Sequence, residues 1–246
     1  MEQQSTPAGP VRAAQVAGNV VRWAWPGVVL VVLGAVAFGG LYDAVREQDD
    51  LWLVDDPILE WMVAHRSAGL TTFLTVVTTI FGPFVLPVLV AVGALVWARV
   101  AGTWWEPGLL VGAMALSTVL SVSIKALVAR PRPPDDSMVV PGIEHTFSFP
   151  SGHTIGAATL VLVGGYLLWH RHHSGRLLVV WAVVSLAVTV VVAGSRLYLG
   201  YHFLTDVLAG VALAVVVLGV VVLVVRWREA QSSSPRARRA SPSASA

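Results

Sequence analysis

Residues 204–225 read LTDVLAGVALAVVVLGVVVLVV, a single acidic residue followed by a long apolar run. A bilayer crossing needs roughly 20 apolar residues in an α-helix, and this stretch meets that length. The same pattern returns in five earlier stretches, at 26–44, 70–98, 107–129, 153–170 and 177–195. The sequence therefore predicts an all-α polytopic membrane protein with six transmembrane helices.

The composition agrees with a membrane protein and excludes several functions. Of 246 residues, 56% are hydrophobic and 12% charged, and the mean hydropathy is +0.73. The charges cluster between uncharged stretches, whereas a soluble domain would spread them along the chain. Cysteine is absent, which excludes disulfides, thiolate chemistry and cysteine-ligated metals. The only dense basic cluster lies in a Ser/Pro/Ala tail, so no nucleic-acid partner is expected.

The distribution of basic residues predicts how the chain sits in the membrane. Lys and Arg are more numerous in the connecting segments that are cytoplasmic when both termini lie inside. We therefore expect a multi-pass protein of the cell membrane with cytoplasmic termini. Residues 25–228 form the predicted six-span domain, flanked by cytoplasmic tails at 1–24 and 229–246 that are expected to be disordered.

Two segments carry local signals. Gly82, Pro83 and Pro87 interrupt the second span and predict a kinked or tilted helix. In the first outer loop, residues 46–69, Asp56 is expected to cap a short interfacial helix that has Pro57 in its first turn. The loop's acidic residues are interpreted as solvated on the outer face: Asp49, Asp50, Asp55 and Asp56.

Three polar segments interrupt the apolar chain, all on the predicted outer side. The first is Lys125 to Pro133, KALVARPRP, in which the prolines end the third span and place Arg132 close to Lys125. Two cations held together near a membrane repel each other unless an anion joins them. Phosphate suits this pair, since arginine makes planar two-bond contacts and lysine is a compact charge.

The second segment is PSGH, residues 150–153, at the start of the fourth span. Ser151 is a natural helix N-cap, Gly152 allows an anion to approach the backbone, and free N–H groups at a helix start favour negative charge. His153 follows and can titrate near neutral pH.

The third segment runs from Ser195 to Asp206. Arg196 adds a third cation. His202 and Asp206 are four residues apart, so on a helix they would share a face and could form a hydrogen bond. A carboxylate on one imidazole nitrogen leaves the other nitrogen free to act as a nucleophile.

Together the three segments match K-x6-R-P, P-S-G-H and S-R-x5-H-x3-D, in order and without departure at any position. The chain thus resembles the type 2 phosphatidic acid phosphatase superfamily, which includes vanadium haloperoxidases. The resemblance implies that Lys125, Arg132, Ser151, Gly152 and Arg196 bind phosphate. It further implies that His202 forms a phosphohistidine, that Asp206 orients His202, and that His153 protonates the leaving oxygen. No cofactor or metal is expected.

The expected function is hydrolysis of a membrane lipid phosphate at the outer face. An undecaprenyl-type diphosphate is the first substrate hypothesis, followed by phosphatidic acid and phosphatidylglycerol phosphate. Alternatives that stay open are phosphotransfer from a lipid to another acceptor and a non-enzymatic lipid transporter. A haloperoxidase is disfavoured because membrane spans dominate the chain. The loop 134–149, with Asp135, Asp136, Glu144 and His145, either gates the site or is simply solvated.

Overall fold

The computed structural model describes residues 10–142 and 144–232, and within these ranges all regular secondary structure is helical. The α-helices are α1 (Pro10–Glu47), α2 (Asp55–Ala64), α3 (Ala68–Ile80), α4 (Val85–Ala101), α5 (Trp105–Val128), α6 (Gly152–His172), α7 (Gly175–Tyr198) and α8 (Leu204–Ser232). Short 3₁₀ helices occur at Asp50–Val54 and Asp135–Ser137. The predicted all-α fold is confirmed.

The predicted spans correspond to helices of membrane-crossing length. In the described part of the chain, α5, α6, α7, α8 and the Ala24–Glu47 part of α1 are long and apolar enough to cross a bilayer. Helices α3 and α4 meet at an angle of 55° and make a sixth crossing when taken together. The break falls at Gly82 and Pro83, as predicted. Pro87 lies in the first turn of α4, where a missing N–H leaves no helical hydrogen bond unmade.

The ends of the structured region differ from the prediction. Helix α1 begins at Pro10, so the segment 1–24, expected to be a disordered tail, is helical from Pro10 onward. Helix α8 continues to Ser232, past the predicted domain end at 228. The remaining tail residues, 1–9 and 233–246, lie outside the described residues.

Helices α6 and α8 form the centre of the bundle, and α7 lies at its edge. In the most apolar window of α6 and of α8, 56% of the residues are buried, against 11% in α7. Val163, Leu167, Val217 and Val221 make up much of the apolar core between them. The outward apolar side chains of α7 would be unfavourable in water, but they suit contact with lipid.

Helices α1 and α8 pack antiparallel at close range, which fixes the two ends of the molecule. A Cβ on Gly27 would lie 2.8 Å from the carbonyl oxygen of Gly219, and a Cβ on Gly219 would lie equally close to that of Gly27. Small residues allow this approach, as is usual between transmembrane helices. Because the helices are antiparallel, Pro10 and Ser232 lie at the same end of the bundle, and the start of α8 lies at the opposite end.

Helix α2 begins two residues earlier than predicted. Its first residue is Asp55, its N-cap is Val54, and no side chain caps it locally. Asp56 is therefore inside the first turn, and the prediction that it caps the helix was wrong. The side chain of Asp55 turns inward and is 2% exposed, which also contradicts the interpretation of Asp55 as a solvated residue.

Candidate active site

Four helix ends meet at the start of α8 and bring the three polar segments together. The segments from the end of α5, the start of α6 and the link between α7 and α8 are joined by hydrogen bonds. Ser151 N donates to the carbonyl oxygen of Asp206 over 3.0 Å, and Lys125 Nζ donates to that of Ser148 over 3.1 Å. Residues far apart in sequence thus share one site.

His202 lies before α8 and is held by a carboxylate and a hydroxyl. Its Nδ1 is 3.2 Å from Asp206 Oδ2 and 3.2 Å from Ser148 Oγ, which itself bonds Asp206. The predicted pairing of His202 with Asp206 is present, but not on one helix face as expected. His202 precedes α8 and Asp206 lies in its first turn, so their contact spans the start of the helix.

Capping of α8 explains this arrangement. The Asp206 carboxylate, in the first turn, accepts from the backbone N–H of Phe203, just before the helix, over 3.0 Å. This reach-back contact is half of a capping box. Asp55 accepts the next free donor, Thr205 N, over 2.9 Å. Both carboxylates also sit at the positive end of the helix dipole, which favours their charge.

Arg132 contacts the other nitrogen of the His202 ring. Its Nη1 is 3.3 Å from His202 Nε2 and 2.8 Å from the carbonyl oxygen of Tyr201. Because a guanidinium can only donate, this contact makes Nε2 the acceptor and leaves the ring proton on Nδ1, towards Asp206. Burial lowers the pKa of Arg132, although Glu144 opposes the shift. With the ring proton on Nδ1, Nε2 is the unprotonated nitrogen of His202.

Arg196 is almost completely buried and extends from α7 to the region of Arg132. Its Nη1 donates to Thr78 Oγ1 over 2.8 Å, and its guanidinium lies 4.6 Å from the centre of the Tyr201 ring. Its Nε has no hydrogen-bond partner among the described residues. The Glu144 carboxylate bridges the two arginines, with one oxygen on Arg196 and the other 3.0 Å from Arg132 Nη2. Glu144 is therefore an ion-paired site residue rather than a solvated one.

The remaining predicted residues surround the same space. Ser151 occupies the N-cap position of α6, and its Oγ accepts from Thr154 Oγ1 rather than capping the helix itself. Gly152 and His153 open α6 and line one cavity together with Lys125 and His202. All eight predicted site residues thus lie at one end of the bundle.

Burial lowers the pKa of His202 well below its usual range, and neighbouring cations act in the same direction. Those cations are Arg132, Arg196, Lys125 and Arg130. The imidazole is therefore neutral at neutral pH, the form in which a nitrogen can act as a nucleophile.

The cavity that joins His153 and His202 has a volume of about 290 Å³ and mostly apolar walls. The walls come from the α3–α4 bend (Phe81, Pro83), from α4 (Leu86) and from α5 (Met114, Val122). Along α5 it runs from Lys125 to Met114, a distance of about 16 Å at the usual rise per residue. A second cavity, of about 660 Å³, shares Lys125, Arg132 and Glu144 with the first and is lined further by residues 131–135 and 144–147.

Sequence reasoning missed four residues of the site. Arg130 links Asp55 to Asp206, and Ser148 bonds both His202 and Asp206. For Glu144, the sequence alone does not distinguish a gating role from simple solvation. No local pattern marks these residues, because each acts through partners that are distant in sequence. No group of three or more His, Asp or Glu suited to a metal occurs within 10–142 and 144–232.

Comparison with known proteins identifies the family. The PAP2 superfamily model matches residues 106–230, which contain all three polar segments. The chain belongs to the PAP2 superfamily. Phosphatidylglycerophosphatase B of Bacillus subtilis is 32% identical over 162 residues, covering 65% of this chain and 77% of that protein. The predicted family and the predicted class, a phosphatase, are confirmed.

A further relative and two solved structures also match this PAP2 protein. Escherichia coli YbjG, named a putative undecaprenyl-diphosphatase, is 36% identical over 100 residues, covering 40% of this chain and 46% of YbjG. A crystal structure of a PAP2-type phosphatidylglycerolphosphate phosphatase from Bacillus subtilis superimposes with a TM-score of 0.65 at 24% identity, covering 85% of this chain and 98% of that chain. Aquifex aeolicus LpxE gives 0.52 at 22% identity, covering 69% and 94%. These structures share the fold.

Proposed function

We propose that this PAP2 protein hydrolyses a membrane lipid phosphate through a phosphohistidine on His202. The observation that carries the proposal is the pair of contacts on the imidazole. Asp206 holds Nδ1 at 3.2 Å, and Arg132 lies 3.3 Å from Nε2, the unprotonated nitrogen proposed to attack. A nucleophile fixed by a carboxylate beside a phosphate-binding cation suits phosphoryl transfer, which depends on positioning and on charge stabilisation.

We propose a role for each residue, supported by the cavity that the residues share and by the family resemblance. Lys125, Arg132, Arg196, Ser151 and the Gly152 amide bind the phosphate oxygens. His202 Nε2 bonds to phosphorus as the bond to the lipid oxygen breaks, and His153 gives that oxygen a proton. His153 then takes a proton from water, whose oxygen bonds to phosphorus and breaks the N–P bond. Inorganic phosphate leaves, and His202 is restored.

The cavity between the α3–α4 bend and α5 supports a lipid as the substrate. Its cationic end holds Lys125 and Arg132, and its wall as far as Met114 is mostly apolar, although α5 also contributes the hydroxyls of Ser117, Thr118 and Ser121. A phosphate group could sit among the cations while the start of its lipid chain follows the apolar wall. We place this end of the bundle at the outer membrane face because the distribution of Lys and Arg favours cytoplasmic termini.

For the substrate, we propose phosphatidylglycerol phosphate first. The match to phosphatidylglycerophosphatase B spans 77% of that relative, whereas the match to YbjG spans 46% of its length. This order reverses the sequence-based hypothesis, which placed an undecaprenyl-type diphosphate first. The diphosphate remains the second candidate because the YbjG match has the higher identity.

The test is phosphate release by the purified full-length protein in detergent, with chelator present throughout. Phosphatidylglycerol phosphate, phosphatidic acid and undecaprenyl diphosphate are compared by kcat/KM. We expect release from at least one, and near-complete loss in His202→Ala. Loss of wild-type activity in chelator would contradict the metal-independent mechanism. Full phosphate release by His202→Ala would contradict His202 as the nucleophile, whereas a wild type that releases phosphate from none of the three lipids would leave the non-enzymatic transporter as the better account.

Hydrolysis and phosphotransfer are separated by the fate of the phosphate. A phosphohistidine can be intercepted by an alcohol instead of water. Adding glycerol to the assay and measuring free against transferred phosphate distinguishes the two. We expect free phosphate to account for the lipid consumed. Transfer in excess of release would identify a phosphotransferase.

A further inference from the structure

Arg130 connects two carboxylates in the buried region beneath His202. Its Nη2 is 2.8 Å from Asp55 Oδ2, and its Nη1 is 2.7 Å from Asp206 Oδ1. The side chain of Arg130 is 7% exposed, that of Asp55 2% and that of Asp206 0%. A fully desolvated chain of charges in alternating sign is a demanding arrangement, since each member must keep its partners.

This chain completes the coordination of the Asp206 carboxylate. Oδ2 receives the Phe203 amide, the Ser148 hydroxyl and His202 Nδ1, and Oδ1 receives Arg130. The Oδ1 contact fixes the plane of the carboxylate, because rotation about its bond would break the 2.7 Å hydrogen bond to Arg130. The orientation of the imidazole follows from that plane.

Asp55 holds Arg130 in turn. The other oxygen of Asp55 bonds Thr205 N, and Thr205 Oγ1 lies 2.6 Å from Asp55 and 2.7 Å from Arg130 Nη1. The Phe203 ring lies 4.3 Å from the guanidinium on another side. Helix α2, in the first outer loop, thereby braces the start of α8 and the residue that orients His202.

We propose that Arg130 is a positioning residue of the reaction, held by Asp55, which fixes the Asp206 carboxylate against His202. Its side chain bonds Asp55, Thr205 and Asp206, and it acts on His202 in two ways. Its forked guanidinium orients the Asp206 carboxylate. Its positive charge disfavours protonation of the His202 imidazole. The other charged or titratable groups around His202 are Lys125, Arg132, Glu144, His153 and Arg196.

The two effects predict different behaviour for two substitutions. Arg130→Lys keeps the charge and loses the fork, because an ammonium cannot bridge both carboxylates in a plane. We expect kcat to fall, by about 10- to 100-fold if His202 is displaced by around 1 Å, with the acid limb of the kcat/KM profile unmoved. Arg130→Gln also loses the charge, so the pKa of His202 should rise and the acid limb should move to higher pH.

The experiment measures pH profiles of phosphate release in detergent for both variants, Asp55→Asn and the wild type, using whichever of the three lipids gives the wild type its highest kcat/KM. Arg46→Gln is the matched control, because Arg46 is an exposed arginine near the end of α1 whose hydrogen bond, within the part of the chain that the structure describes, goes to Tyr42. Its profile should equal that of the wild type. Asp55→Asn keeps the Arg130 charge and should lower kcat without moving the acid limb. Thermal unfolding in detergent shows whether each variant is folded.

The inference rests on the proposed function, and the two fail separately. A wild-type protein that releases no phosphate from any of the three lipids contradicts the function. An active wild type with unchanged kcat in both Arg130 variants contradicts the inference. Equal loss in Arg130→Lys and Arg130→Gln with no shift of the acid limb in either also overturns it, since only packing would then be affected. If Arg130→Gln does not fold, the kcat of Arg130→Lys and Asp55→Asn decides.

Discussion

Glu144 is the residue whose removal should strengthen anion binding. Its carboxylate pairs with Arg132 and Arg196, the two arginines proposed to bind phosphate. A phosphate that uses both guanidinium groups must displace this carboxylate, so its binding free energy is reduced by the strength of the existing contacts. Glu144→Gln keeps the shape of the side chain and removes the competing charge.

The magnitude follows from the geometry. A hydrogen bond to a charged group contributes about 1.5–3 kcal/mol, and Glu144 makes one to each arginine. The Glu144 side chain is 21% exposed, so solvent weakens both contacts, and glutamine retains part of them. A net difference of about 1.5 kcal/mol remains, which corresponds to roughly tenfold tighter binding of an anion.

The assay is competitive inhibition of phosphate release by orthovanadate, which has the charge and shape of phosphate. We expect the inhibition constant of Glu144→Gln to be about tenfold lower than that of the wild type. Asp136→Asn is the control, because it removes one carboxylate from an exposed position of the same loop. An inhibition constant that rises or stays unchanged in Glu144→Gln would refute the competition.

Two further predictions concern the loop over the site and the state of His202. Gly200 has φ 79°, and a Cβ there would meet the carbonyl of Ser137. Gly200→Ala should therefore lower the free energy of unfolding by about 1–3 kcal/mol and lower Tm. Gly108→Ala is the control, because a Cβ on Gly108 meets open space, and its Tm should stay unchanged. A Tm equal to that of the wild type would contradict the close packing. Because the pKa of His202 is lowered, the acid limb of kcat/KM, corrected for ionisation of the substrate, should lie below pH 6.5, the usual value for histidine. A limb at or above that value would indicate a solvated imidazole.

The spans and the reactive residues could be predicted because their signals are local. The apolar run 204–225 marks α8 by itself, and the three motifs carry their spacing within a dozen residues. The pairing of His202 with Asp206 was predicted correctly, although on the wrong local structure. A spacing of four residues fits a helix face and also a capping turn, and only the start of α8 at Leu204 distinguishes the two.

The residues that hold the site together could not be predicted. Asp55 lies among other acidic residues at a helix start, where solvation is the usual interpretation. Its partners, Arg130 and Thr205, are 75 and 150 residues away in the sequence. Glu144 likewise pairs with Arg196 from the far end of α7. Nothing in the local sequence distinguishes such a carboxylate from an exposed one, because its burial depends on how the helices pack.

The central claim is that His202 Nε2 attacks phosphorus, and trapping the intermediate tests it most directly. Rapid quenching in base of the His153→Ala variant during turnover of undecaprenyl diphosphate, labelled with ³²P in its terminal phosphate, should give labelled protein. The leaving oxygen of a diphosphate is already acidic and depends little on His153 for a proton, whereas the attack of water on the phosphohistidine still needs His153 as the base. The account predicts an acid-labile, base-stable label on the peptide that contains residue 202, and no label in a His153→Ala, His202→Ala double variant. A label on any other residue, or unchanged labelling without His202, would contradict it.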